Sequence, residues 1–411
     1  MSPATTRTGF CRASAPRKAR LAGLTGLALL LLSACASVPV DTGAAPVRPA
    51  PEPATRLVLQ TTDFTRVSGW QSHDPRPAFS AFLRSCDAIE RRAANQPLNP
   101  NAPYAGNAGD WHGICADARR LGAPDALAAR RFFETHFRPV SVGGEGRLTG
   151  YYEPLVDARS APDGEFSMAI RARPGLRPAG DLSQLIAGLD ADHWSGADEA
   201  RPRAEIEALN IGVPLAWGRP IDVFFMQIQG SGRLVFEDGS QRRAAFAAHN
   251  GHPYVSIGRL LLDRGELPPG QASKQHIESW LHRNGPAAWT PLFNENPRYV
   301  FFHMQEIVDP QSGPLGSQGV PLTPMGSMAV DPAYHAWGVP IFVTGDVSGQ
   351  GPWAGLVIAQ DAGGAITGPV RGDLFFGWGY EAGETAGRQN SFARWHILLP
   401  ARLALRYART S

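Results

Sequence analysis

Residues 356–380 read LVIAQDAGGAITGPVRGDLFFGWGY. The run opens on four apolar residues, Leu356 to Ala359, which suit a buried strand and deliver Gln360 and Asp361 to its end. Gly363 and Gly364 allow a positive φ or a close backbone approach, Ala365-Ile366 read as a short strand, and Gly368-Pro369 turn the chain. Arg371-Gly372-Asp373 then lead into Leu374-Phe375-Phe376. A carboxyl just ahead of aromatic residues is partly desolvated, which raises its pKa and keeps a proton on it for general acid work. The alternative for any Asp near Gly is a turn, with the carboxylate bonded to its own backbone. Strands and glycines continue through the chain from residue 297, so this part reads as β.

Upstream, Arg147 to Pro154 (RLTGYYEP) is strand-like and stops at proline. Asp222 to Gln229 alternates, with Phe224, Met226 and Ile228 on one face and Val223, Phe225, Gln227 and Gln229 on the other. With turns at Gly230-Ser231-Gly232 and Glu237 to Ser240, residues 220–248 read as two hairpin-linked strands. Gln227 and Gln229 would then offer amides to sugar hydroxyls from one strand face, or simply face solvent. Tyr151, Tyr152 and Trp378 can stack on sugar rings or pack in a core. Helices are expected where apolar residues recur every three or four positions. These are three patterns within 77–137 around a polar break at 95–110, one starting at Ser256, and one over about 272–283 that stops at Asn284-Gly285. Strict β–α alternation is missing, which argues against Rossmann and TIM-barrel layouts. The fold class is mainly β with flanking helices (α+β). No phosphate-binding glycine fingerprint and no G-x-S-x-G elbow is present, and no Cys/His spacing suits zinc.

The chain has 411 residues and a formal charge of +2. Arg7, Arg12, Arg17, Lys18 and Arg20 precede an apolar run at 21–32, and Ser33-Ala34 follow. Residues 1–34 thus read as a secretory signal, its apolar run too short to span a bilayer at ~20 residues. Removing those five cations leaves 34 Lys+Arg against 37 Asp+Glu, a balance of −3. That excludes a strongly basic nucleic-acid binder. Leu32-Ser33-Ala34-Cys35 resembles a lipoprotein lipobox. The resemblance implies cleavage before Cys35, lipidation there and, from Ala36, outer-membrane sorting. Residues 35–57, rich in Pro and Ala, read as a tether. In an oxidising compartment Cys86 and Cys115 either form a disulfide or stay as buried thiols.

Taken together, GYYEP (150–154), DVFFMQIQGSGRL (222–234), NGHPYVSIGRLLLDRGE (250–266), NPRYVFF (296–302), GVPLTPMGSMAVDP (319–332), AQDAGGAITGPVRGDLFFGWGYEAGETAG (359–387) and LLP (398–400) resemble the membrane-bound lytic murein transglycosylase A family. The resemblance covers about Leu148 to Pro400. It implies a helical part at 58–149, an inserted β-barrel-like domain at 150–310, and a three-aspartate double-psi β-barrel at 311–411, with a glycan groove between the two β domains. The three aspartates map to Asp331, Asp361 and Asp373. Asp373 maps to the catalytic acid/base and Asp361 to its support. Substrate contacts are expected from Thr149, Tyr151, Tyr152, Gln227, Gln229, Ser231, Asp331 and Trp378. Thr367 stands where many relatives have Lys, and Gly372 where others have Phe, Val or Ile. The implied activity is cleavage of the β-1,4 MurNAc–GlcNAc bond of peptidoglycan with 1,6-anhydro-MurNAc ends. The muramic C6 hydroxyl is the tethered nucleophile, so one carboxyl suffices where glycosidases need two. No metal or organic cofactor is called for. Peptidoglycan strands, a lipid-anchored membrane on the periplasmic face of the outer membrane, and cell-wall synthesis enzymes are the implied partners of a monomer. A hydrolytic endoglycosidase, a non-catalytic glycan-binding module and a structural lipoprotein are the competing readings.

Overall fold

The computed structural model describes residues 57–175 and 196–408. The leader, Cys35 and nearly all of the tether lie outside the described residues.

Three helices form where the spacing predicts them. In α1 (Arg76–Glu90), Phe79, Phe82, Cys86 and Ile89 recur every three or four residues and are buried together. α2 (Gly109–Leu121) buries Trp111, Cys115 and Ala118 and stops at Gly122, whose φ of 70° suits glycine. α3 (Ala126–His136) is capped by Asp125, whose carboxylate accepts from the Ala128 amide at 2.7 Å. Cys86 and Cys115 are joined by a disulfide, with Cα atoms 5.4 Å apart.

Six strands close on themselves: β3 (Gly146–Glu153), β13 (Arg371–Trp378), β10 (Ser327–Val330), β12 (Gly351–Asp361), β11 (Pro340–Val347) and β14 (Asn390–Pro400), which pairs back to β3. Two pairs, β3–β13 and β10–β12, are parallel, and the other four are antiparallel. This is the double-psi barrel. β2 (Phe137–Val142) and β1 (Leu59–Thr61) extend it outward from β14. Leu148, Met328, Leu374 and Trp395 share one core with Phe79, Phe82 and Trp111, so α1–α3 and the barrel pack as one body.

The chain leaves this barrel at Pro154 and re-enters it at Ser327. Between them lies a second sheet, ordered β5 (Met168–Arg171), β6 (Pro214–Gly218), β4 (Leu155–Arg159), β7 (Gly232–Val235), β8 (Gln241–His249), β9 (Val300–Glu306). A parallel bridge from Ala172 to Phe302 brings its two edges together, which gives the inserted part its barrel-like form.

Three local expectations are corrected. Pro220–Gln229 is a helix, not a strand. Pro220 opens it, Asp222 lies in its first turn, and Gly230 ends it at φ 88°. Val223 and Met226, three apart, face the second sheet's core, while Phe224 and Phe225 face a cluster of helices. Burial on both sides made the segment apolar almost throughout, and the remaining alternation was accidental. Ala365-Ile366 is not a strand but part of a turn in which the Ile366 amide donates to Gly363 O. Finally, Gly379–Arg388 is a helix despite three glycines. A Cβ on Gly383 would lie 2.7 Å from the Tyr152 ring, so this glycine serves close packing rather than a turn. The helix Ile257–Asp263 starts at its Ser256 cap and Lys274–Asn284 stops at Gly285, both as expected; Ser273 caps the second, and Pro286–Asn294 adds one more.

Candidate active site

Alternation along β13 sends Leu374 into the main core and leaves Asp373 and Phe375 on the other face. On that face Phe375, Tyr151, Ala329, Leu322 and Ile366 form a small apolar cluster. Asp373 stands beside it, half-buried. Burial pushes its carboxyl above the ordinary range, and nearby Asp361 pushes the same way. A hydrogen bond from Thr149 and the charge of Arg371 pull it back. Thr149 is its register partner on β3, and Thr149 Oγ1 donates to Asp373 Oδ1 at 2.5 Å. Oδ2 carries no hydrogen bond among the described residues.

Asp361 ends β12. Ala329 on β10 pairs with Asp361 on one side and Asp373 on the other, which puts the two carboxylate-bearing backbones two strand spacings apart, roughly 10 Å. The small Ala329 side chain between them is buried among Tyr151, Leu322, Ile366 and Phe375. Asp361 is heavily engaged. Its Oδ1 accepts from the Ser317 amide at 2.9 Å, the Ser317 hydroxyl at 2.8 Å and the Ala362 amide at 2.8 Å, and its Oδ2 accepts from the Tyr151 hydroxyl at 3.0 Å. Burial raises its pKa and those donors oppose the shift. Burial and the Asp361 carboxylate also hold the Tyr151 hydroxyl well above its ordinary pKa, so it remains a donor. The preceding residue fixes the strand end. Gln360 Nε2 donates to Ala81 O and Ser85 Oγ at 2.8 Å each, and its Oε1 accepts from Ser327 Oγ at 2.5 Å, tying β12 to α1 and β10.

The structure therefore brings Asp373, Asp361, Thr149 and Tyr151 together. It places the other expected contacts elsewhere. Tyr152 lies on the opposite face of β3, where its amide donates to Gln229 Oε1 at 3.1 Å. Both line a cavity of about 180 Å³ with Gly150, Tyr254 and Lys274. The Gln227 amide is buried within the inserted part rather than offered at a strand face, because the segment is helical. Ser231 is buried just beyond that helix. The Asp331 carboxylate accepts from the amides of Ala333 at 2.9 Å and Gly368 at 2.7 Å, bracing the loop that leads into β13. Trp378 has one ring face covered by Arg233, at 4.2 Å.

Sequence reasoning passed over a second buried cluster. Glu153, fully buried at the end of β3, accepts from Arg233 Nε at 2.7 Å and Arg243 Nε at 2.5 Å. Both guanidiniums also donate to Ser312 O. Glu153 in GYYEP and Arg233 in GSGRL were visible, but nothing in their spacing paired them. Arg371 was also passed over; its Nη1 donates to Thr149 Oγ1 at 2.8 Å. Among the described residues no three His, Cys, Asp or Glu side chains converge to hold a metal ion.

Residues 147–303 match the MltA specific insert domain and residues 326–399 the 3D domain. The crystal structure of membrane-bound lytic murein transglycosylase from Agrobacterium tumefaciens is 33% identical, covers 85% of this chain and 99% of its own, and superposes with a TM-score of 0.73. The chain belongs to the membrane-bound lytic murein transglycosylase A family. The Escherichia coli K12 family member is 28% identical over 389 residues, 92% of this chain and 95% of its own. A crystal structure of E. coli MltA with bound chitohexaose is 26% identical, covers 79% of this chain and 90% of its own, and has a TM-score of 0.59. In this MltA family member the three aspartates of the 3D domain thus have different surroundings, with only Asp361 and Asp373 in register with Ala329.

Proposed function

We propose that this chain is a lytic transglycosylase that cleaves the β-1,4 MurNAc–GlcNAc bond of peptidoglycan, with Asp373 acting first as acid and then as base. One observation carries the assignment between the two aspartates. Asp361 is saturated with donors that favour its ionised form. Asp373 has one oxygen held by Thr149, the other unengaged, and an apolar flank that favours the protonated acid. Asp373 would protonate the glycosidic oxygen as the C1–O bond breaks. The resulting carboxylate would take the proton of the muramic C6 hydroxyl as O6 closes on C1, giving the 1,6-anhydro end. The nucleophile is tethered to the reacting carbon, so proximity replaces a second enzyme base. Asp361, fixed about two strand spacings away, would contribute negative potential toward the oxocarbenium-like centre. The glycan would lie in a groove between the barrel and the inserted part. The relative crystallised with chitohexaose supports a β-1,4 glycan ligand. Export of residues 1–34, lipidation of Cys35 and attachment at the periplasmic face of the outer membrane complete the reading. Relatives named as membrane-bound support it.

The test is mass spectrometry of products released from purified sacculi by wild type and Asp373→Asn. Anhydro-muramyl ends from wild type, reduced by about 10³-fold or more in the variant, are expected for an essential acid. Reducing muramic ends would replace the lyase by a hydrolase. Binding to sacculi with no released product would replace the enzyme by a binding module. Loss in Asp361→Asn but not Asp373→Asn would move the acid to Asp361.

A further inference from the structure

We propose that Arg371 determines which oxygen of Asp373 carries the catalytic proton, acting through the Thr149 hydroxyl. The inference rests on the reading of Asp373 as the acid. A guanidinium has only donors, and a hydroxyl has one proton and two acceptor lone pairs. Arg371 Nη1 donates to Thr149 Oγ1 at 2.8 Å and to Gly372 O at 2.6 Å. Thr149 Oγ1 is thereby an acceptor toward Arg371, and its own proton points to Asp373 Oδ1, 2.5 Å away. Oδ1 receives that hydrogen bond whether Asp373 is protonated or not. The acid proton therefore resides on Oδ2, the oxygen free of hydrogen bonds among the described residues. Placing it on Oδ1 would turn the Asp373–Thr149 bond round and leave the threonine proton without an acceptor there.

The strands impose this chain of donors. Asp373 and Thr149 are register partners on parallel neighbours, and Arg371 lies two residues before Asp373 on the same face. The other charged group acting on the carboxyl is Asp361 from β12; Arg147, further out on β3, faces Arg371 and is bonded to Asn390. Neither touches Oδ2. One oxygen thus serves both halves of the reaction. The Oδ2–H bond breaks as the glycosidic oxygen takes the proton and leaves as an alcohol with the C1–O electron pair. O6 then bonds to C1 and its proton returns to Oδ2. Nothing is oxidised or reduced, and no co-reactant is needed. Arg371 touches no reacting atom and is a positioning residue.

The experiment compares Arg371→Met, Arg371→Lys, Thr149→Val, Thr149→Ser and Asp373→Asn in the full-length protein on purified sacculi. It reads kcat, KM and the pH–rate profile, with circular dichroism for folding. Arg371→Met and Thr149→Val are expected to lower kcat roughly 10- to 100-fold with KM nearly unchanged. The Arg371 charge and the Thr149 hydrogen bond both lower the Asp373 pKa, so losing either moves the alkaline limb, where the acid loses its proton, to higher pH. Thr149→Ser is expected to restore kcat relative to Thr149→Val, and Arg371→Lys to restore part of it relative to Arg371→Met. Wild-type kcat and an unmoved alkaline limb in folded Arg371→Met would overturn the role of Arg371. Equal loss in Thr149→Ser and Thr149→Val would overturn the role of the hydroxyl. An active Asp373→Asn would instead sink the acid assignment. An inactive one beside unaffected Arg371 and Thr149 variants would sink the relay alone.

Discussion

Gly372, one residue before Asp373, has no room for a side chain. A Cβ there would lie 2.5 Å from Met328 Sδ and 2.9 Å from Trp395 Cζ2. Met328 from the neighbouring β10 and Trp395 from β14 fill the space that the larger residues expected at this position would need. Gly372→Val must displace both and is expected to cost about 1–3 kcal/mol, read as a lower urea midpoint. At this scale the sequence was informative about type and order and silent about contact. A strand, a glycine turn and an aromatic flank drew attention to Asp361 and Asp373, and the family resemblance supplied the roles expected of them. The partner of Asp373 was not, because Thr149 is 224 residues away and meets it only through the β3–β13 register. Asp331 belongs to the same motif, yet its carboxylate is committed to two backbone amides, a difference that depends on loop geometry.

Among the elements, α1–α3 were legible because each buries one face only, and a single buried face imposes a 3.6-residue period. The helix Pro220–Gln229 was not, because it is wedged between two cores. The strand reading puts Phe224 and Met226 side by side on one face; the helix sends Phe224 to Phe293, stacked at 3.9 Å, and Met226 to the second sheet. Phe224→Ala is expected to destabilise by about 3–5 kcal/mol. Phe224→Ala and Met226→Ala are expected to add within about 0.5 kcal/mol, as independent sites do. A double-mutant coupling well above that would signal a shared core. Gln227 and Gln229 change meaning with the element, one becoming buried and the other turning to Tyr152.

At the scale of the whole molecule, the two β bodies are joined through Glu153, which leaves the barrel to meet two arginines of the second sheet. Glu153→Gln removes the charge that both guanidiniums face and is expected to cost roughly 3–5 kcal/mol in denaturant titrations. Acid sensitivity has a distinct source in His335, fully buried between Tyr104 Oη at 3.0 Å and Pro369 O at 2.8 Å. With Nε2–H donating to the carbonyl, Nδ1 accepts from tyrosine, an arrangement available to the neutral ring. Burial depresses its pKa from 6.5 to about 4. The contribution is whole above pH 6.5, where the unfolded chain is also neutral, and is lost as pH falls toward 4 and the unfolded chain takes the proton first. Across that window it amounts to on the order of 3 kcal/mol. Stability plotted from pH 7 to pH 4 is therefore expected to fall less steeply in His335→Gln than in wild type. The barrel closure has a temporal consequence. β3 is made early but stays without its barrel neighbours until β13 and β14 have been made, so these contacts are among the most non-local in the chain. The bond between Thr149 and Asp373 is itself one of them. A chain still emerging from the ribosome therefore lacks the Thr149–Asp373 pair, which arrives only with its last strands.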